Sequence, residues 1–92
     1  MQKSNETRIV IPASGSVVTA FNQDVYRKCW TFYNNVNTEA YIAIGSGAAL
    51  DNFSFITPVS GYYESPMGFF NGAVTVIWPS GAIGSGMFTE IK

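Results

Sequence analysis

The sequence predicts an all-β domain: a single small β-sandwich of about seven or eight short antiparallel strands, jelly-roll or immunoglobulin-like in topology. Three observations point there. Short runs alternate apolar and polar residues, as a strand with one buried face requires. Clusters of Gly, Pro, Asn and Ser punctuate them at intervals of roughly 8 to 12 residues. No stretch keeps a helical period, and Ala48-Ala49-Leu50 offers one helical turn at most.

Residues 6–11 alternate, with Thr7, Ile9 and Ile11 on one face and Arg8 and Val10 on the other, until Pro12 stops the strand. Ala13-Ser14-Gly15 is a turn, and Ser16 to Phe21 is a second strand, ended by Asn22-Gln23-Asp24. A third strand spans about 26–34, with Tyr26, Lys28, Trp30 and Phe32 on one face and Arg27, Cys29, Thr31 and Tyr33 on the other. Asn34 to Thr38 is turn chemistry, after which Glu39 to Ile44 is expected to pair back as a hairpin. A Gly45-Ser46-Gly47 turn leads to a fifth strand, Phe53 to Ile56, closed by Pro58. Gly61 to Glu64 is a sixth, closed by Ser65-Pro66, and Asn71-Gly72 is a tight-turn signal. The last third holds two apolar runs, Ala73 to Trp78 and Met87 to Ile91, around a Pro/Gly/Ser insert. Val74, Val76 and Trp78 share one face of the first run, with Ala73, Thr75 and Ile77 on the other. Both faces are largely apolar, so this strand is expected to be central and covered on both sides.

Residues 1–92 make one domain, with residues 1–5 a polar N-terminal arm. The chain is 47% hydrophobic and only 12% charged, against about 25% charged in an average protein. So few charges cannot cover a monomer's surface, and the surplus apolar surface is expected to meet partners. The net charge of −1 and the scattered Lys and Arg residues argue against direct nucleic-acid binding. Arg27-Lys28, the one adjacent basic pair, reads as a solvated strand edge. No run reaches the about 18 apolar residues of a membrane span, and the polar first residues carry no apolar signal core, so synthesis in a cytoplasm is expected.

Chemistry is sparse. The absence of histidine removes Ser-His-Asp and Cys-His arrangements and imidazole metal sites. Cys29 is the single cysteine and reads as a small packing residue. The six acids, Glu6, Asp24, Glu39, Asp51, Glu64 and Glu90, are dispersed, which disfavours a paired-carboxylate site. Calcium at Asp24 or Asp51 is disfavoured as well, since neither lies in a dense Asp/Asn loop. Gly81 to Gly86 lacks the following helix or Lys of a phosphate cradle, and its glycines read as loop residues needed for positive φ. No catalytic residue, metal or cofactor is expected.

Aromatics are the remaining lead. Tyr62-Tyr63 and Phe69-Phe70 are adjacent pairs, so in a strand one member of each faces away from the core. These four are the candidate partner contacts, together with the N-terminal arm. In the alternative reading Tyr62, Tyr63 and Trp78 form a stacking platform for a carbohydrate.

Three stretches resemble small virion structural proteins of tailed bacteriophages. They are Thr31-Phe32-Tyr33-Asn34-Asn35 followed by Tyr41-Ile42-Ala43-Ile44-Gly45, then Gly61-Tyr62-Tyr63-Glu64-Ser65-Pro66. The third runs from Val76-Ile77-Trp78-Pro79-Ser80-Gly81 through Gly84-Ser85-Gly86 to Thr89-Glu90-Ile91. The resemblance implies a β-sandwich component of the virion, with no catalytic residues to carry over. The chain lacks a coiled-coil or collagen-like shaft, so a compact decoration, cement or collar module fits better than a fibre. The expected partners are further copies of the chain, as a homotrimer, and the major capsid protein. A host-attachment module and a tail, neck or collar component are the alternatives.

Overall fold

A computed structural model describes residues 6–24, 26–45, 47–65 and 72–92. Among the described residues there are eight strands: β1 (Glu6–Pro12), β2 (Val18–Phe21), β3 (Cys29–Val36), β4 (Ala40–Ile44), β5 (Phe55–Thr57), β6 (Tyr62–Glu64), β7 (Val74–Ile77) and β8 (Gly84–Ile91). They form two four-stranded sheets, ordered β1-β8-β3-β6 and β2-β7-β4-β5, with every pairing antiparallel. First pairs with last, second with seventh, third with sixth and fourth with fifth. That is one long hairpin rolled into two sheets, the jelly-roll form of the predicted sandwich.

Strand periodicity survives into the sheets. Along β3, Trp30, Phe32, Asn34 and Val36 are buried while Cys29, Thr31, Tyr33 and Asn35 face outward. In β8, Gly86, Phe88 and Glu90 alternate in the same way. Between the sheets lie Phe21, Trp30, Phe32, Ile42, Val74, Val76, Trp78 and Phe88. Phe88 is the hub of the rings, 4.4 Å from Phe32, 5.5 Å edge-on from Phe21 and 6.1 Å from Trp30. Such offset and edge-on pairs add to the burial of apolar area.

Several sequence expectations shift. β4 does not pair with β3, because β8 and β6 already occupy both edges of β3. The 37–39 segment instead turns the corner to the other sheet, held by the Asn37 N–H on the Ile83 carbonyl (3.0 Å) and the Ile83 N–H on Asn37 Oδ1 (2.9 Å). The third strand begins at Cys29 rather than 26, because ahead of it the Arg27 N–H is bound to the Asp24 carbonyl at 3.2 Å instead of joining a ladder. The fifth starts at Phe55, since Ser54 bends the chain and its hydroxyl accepts the Ile44 N–H at 2.9 Å where a backbone carbonyl would stand. At 48–52 a tight turn closes between Ala49 and Asn52, with no helical turn. Pro12 is the last residue of β1 rather than a stop before it. The signal at Asn71-Gly72 lies partly outside the described residues.

β7 is central, between β2 and β4. Its second face is covered by a loop: the Thr75 hydroxyl accepts the Ala48 N–H and donates to the Gly45 carbonyl, each at 3.1 Å. The insert after β7 crosses to the other sheet. It needs Gly84 at φ 127°, where a Cβ would fall on the Asn35 carbonyl oxygen. Gly86 departs from the positive-φ expectation and is required for space instead. A Cβ there would sit 2.7 Å from Phe32 Cε1 and 2.8 Å from Trp78 Cζ2.

Asn34 joins the two layers. It is fully buried. Its Oδ1 accepts the Trp78 indole N–H at 3.0 Å, and its Nδ2 donates to the carbonyls of Thr38 (2.9 Å), Thr57 (3.1 Å) and Pro58 (3.1 Å). Its backbone carbonyl and N–H take the Ser60 N–H and the Gly61 carbonyl. One carboxamide therefore satisfies the indole after β7, the β3–β4 corner and the end of β5.

Replacing Asn34 by Ala strands the Trp78 N–H and these carbonyls, and urea unfolding should show a loss of at least about 3 kcal/mol. Gly86→Ala should cost about 1–3 kcal/mol through overpacking. A variant of either kind with wild-type stability would show that these contacts do not hold the sheets together.

Candidate functional site

The three residues of β6 alternate out, in, out. Register places Tyr62 beside Tyr33, Tyr63 beside Phe32 and Glu64 beside Thr31. Tyr62 is 61% exposed. Tyr63 turns inward, where its ring stacks on Phe55 of the opposite sheet at 4.3 Å and tilts against Trp30 at 5.2 Å. The Trp78 ring is wholly buried, with its N–H bound to Asn34. A platform of Tyr62, Tyr63 and Trp78 is therefore not assembled: Trp78 is buried, Tyr63 is half-buried with its ring turned inward, and of the three Tyr62 alone is exposed. Phe69 and Phe70, like arm residues 1–5, lie outside the described residues.

What surrounds Tyr62 is a different arrangement. Antiparallel register aligns outward side chains of four strands into rows. One row is Val10, Met87, Tyr33 and Tyr62, apolar or aromatic across the whole sheet. The neighbouring row is Arg8, Thr89, Thr31 and Glu64, with a cation at the β1 edge and a carboxylate at the β6 edge. The other sheet has a matching feature in Ile56, Tyr41 and Ile77. There the Phe53 ring meets Tyr41 edge-on at 5.0 Å. Tyr41 donates its hydroxyl to the Glu39 carboxylate at 2.7 Å, and that hydrogen bond holds its pKa above the ordinary tyrosine value. Both outer faces thus carry apolar rows where a monomer usually places charge. The signal that could have found them was the outward parity of Val10, Tyr33 and Tyr62, which needs register as well as alternation.

Four charged groups gather at one end, around a cavity of about 250 Å³ between Phe21, Asn22, Asp24, Arg27, Glu90 and Lys92. Arg27 is not a solvated edge. Its guanidinium is buried, 4.6 Å from the centre of the Phe21 ring, and donates to Glu90 Oε2 (2.9 Å) and to the carbonyls of Gly72 (2.8 Å) and Asn22 (2.6 Å). Lys92 reaches Asp24 at 2.7 Å and Glu90 at 3.7 Å. These charges are committed to one another, so the cavity reads as an ionic clasp between the segment after β2 and β8 rather than a ligand cradle. Among the described residues no group of three or more Cys, Asp or Glu is placed to hold a metal ion. Asp51 is exposed in the 49–52 turn, and Cys29 is half-buried on the outward side of β3.

Compared with protein-family models, with curated proteins and with solved structures, the chain matches none.

Removing one member of a buried pair leaves the other charge stranded, so Arg27→Met should cost about 3–5 kcal/mol in urea unfolding. Arg27→Met combined with Glu90→Leu should be less destabilised than Arg27→Met alone. Equal losses would mean that the ion pair is not what Arg27 contributes. The Lys92 hydrogen bond, then the Tyr26 N–H, hold Asp24 below the ordinary carboxylate range, while Asp24 raises Lys92 above its ordinary value. The Asp24 contribution to stability is complete above the unfolded aspartate pKa, about 3.9, and is lost as pH falls through the lower folded value. That of Lys92 is complete below about 10.4 and is lost as pH rises through its raised folded value. Carboxyl NMR titration of Lys92→Met should therefore show the Asp24 midpoint moving up, and an unmoved midpoint would remove Lys92 as the cause.

Proposed function

We propose that this protein is a virion structural component of a tailed bacteriophage, a decoration or cement protein that stabilises the shell through subunit contacts. The observation that carries the reading is the pair of apolar rows on the outer faces of a charge-poor jelly roll. A sandwich buries its core between its sheets, so apolar rows on the outside add nothing to that core and favour a partner. The resemblance of three stretches to small phage virion proteins supplies the setting. The partners are further copies of the chain and the major capsid protein, and the work is done in the assembled particle after synthesis in the host.

The mechanism needs no reacting group. Each copy covers its rows against neighbours, and apolar area contributes about 25 cal/mol per Å² removed from water. An interface of ordinary size buries about 800 Å² on each partner. Repeated at symmetric positions, such contacts raise the free energy needed to rupture a shell under internal pressure.

Particles assembled without the protein should disrupt at lower temperature and in low salt, and adding the purified protein back should restore resistance. Depleted particles as resistant as complete ones, with the protein failing to bind them, would sink the cementing role.

A further inference from the structure

We propose that the outer face of the β1-β8-β3-β6 sheet docks a second copy of this chain, face to face, about a two-fold axis running along the strands. Arg8 of each copy then lies opposite Glu64 of the other. The inference rests on reading the protein as an assembly module, and it names the partner of one face.

Register supplies the argument. Arg8 and Glu64 sit in one row, at opposite edges of the same sheet, and both are exposed. Three strand spacings separate them, about 14 Å, too far to pair within a copy. Neither takes part in the ion pairs among the described residues. A two-fold axis lying between two such faces, parallel to the strands, reverses the order of strands and keeps the position along them. It sets β1 over β6, so that Arg8 meets Glu64 twice, once on each side of the interface. The same operation places Val10 over Tyr62 and Met87 over Tyr33, covering the apolar row with itself.

Other arrangements do less well. An axis across the strands sets β1 over β1, and brings Arg8 onto Glu6 only by carrying the apolar row past the end of the opposing sheet. The three-fold assembly expected from the sequence needs two unlike surfaces to meet, whereas this face complements itself. Stacked sheets lie about 10 Å apart, within the combined reach of an Arg and a Glu side chain. Their usual crossing of about 30° displaces the edge strands by only about one residue. The ion pairs sit at the rim, where charge fixes register and partner more than raw affinity.

Sedimentation of the full chain over a dilution series at low salt tests this, with thermal unfolding confirming that each variant is folded. Wild type should show a monomer–dimer equilibrium. Arg8→Glu and Glu64→Arg should each weaken association by about tenfold or more, since each places like charges together twice. The double variant Arg8→Glu/Glu64→Arg should recover to within about threefold of wild type, because the pairs re-form with reversed sign. Tyr62→Asp should weaken association at any salt. A strictly monomeric wild type, a stoichiometry other than two, indifferent single variants or a double variant that stays weak would each overturn the pairing. Binding to shells separates this failure from that of the virion reading. Dimers that do not bind shells leave the pairing standing, and monomers that bind them leave the virion role standing.

Discussion

One buried carboxamide holds the architecture in register. Asn34 sits in a core of rings and branched aliphatics, where an unpaired amide would be costly. Its oxygen takes the Trp78 N–H and its nitrogen serves carbonyls at the β3–β4 corner and at the end of β5. The largest side chain after β7 is thus orientated by a residue of the opposite sheet. Apolar packing is tolerant of small displacements, but a hydrogen-bond network of fixed geometry is not. The position of one sheet over the other follows from it. Gly86 belongs to the same constraint, since a Cβ there would press on the rings of both Trp78 and Phe32.

With the sheets locked, their outer faces become rigid presentation surfaces. Rows that cross four strands depend on the pairing register of β1 with β8, β8 with β3 and β3 with β6. A slip of one residue would turn Tyr62 inward and Tyr63 outward. Tyr63 is held against that slip by its stack on Phe55, which ties β6 to the opposite sheet. At the far end the Arg27–Glu90 pair performs a related task with charge, fastening the turn after β2 to the last strand. The chain carries only 12% charged residues, and four of them are spent on these ion pairs, which leaves room for apolar rows on the outer faces.

Alternation was readable wherever a strand has one wet and one dry face. The parity of Arg8, Ile9, Val10 and Ile11 in β1 follows the sequence reading, as does that of Trp30, Thr31, Phe32 and Tyr33 in β3. The reading failed where a side chain does a backbone's work or where a neighbour is remote in sequence. Ser54 mimics a ladder acceptor, so β5 starts later than its aromatic pattern suggests. Arg27 looks like a strand-edge cation until Glu90, distant along the chain, is placed beside it. The Asn-rich segment after Asn34 carries real turn chemistry, yet it makes a corner between sheets because both edges of β3 are already taken. Of the candidate contacts, the outward member of the Tyr62-Tyr63 pair could be known to exist but not which one it was.

Composition and period by themselves determined an all-β sandwich with a rich aromatic core and more apolar surface than one sandwich needs. Those properties are sums over residues or repeats along a strand, and they require no knowledge of who pairs with whom. Tertiary structure alone decided the jelly-roll order, the burial of Trp78, the inward turn of Tyr63 and the alignment of Val10, Met87, Tyr33 and Tyr62 into one row. Each of these is a relation between strands far apart in the chain. Nothing local in the sequence distinguishes the many registers in which such strands could meet, and long-range hydrogen bonding selects one.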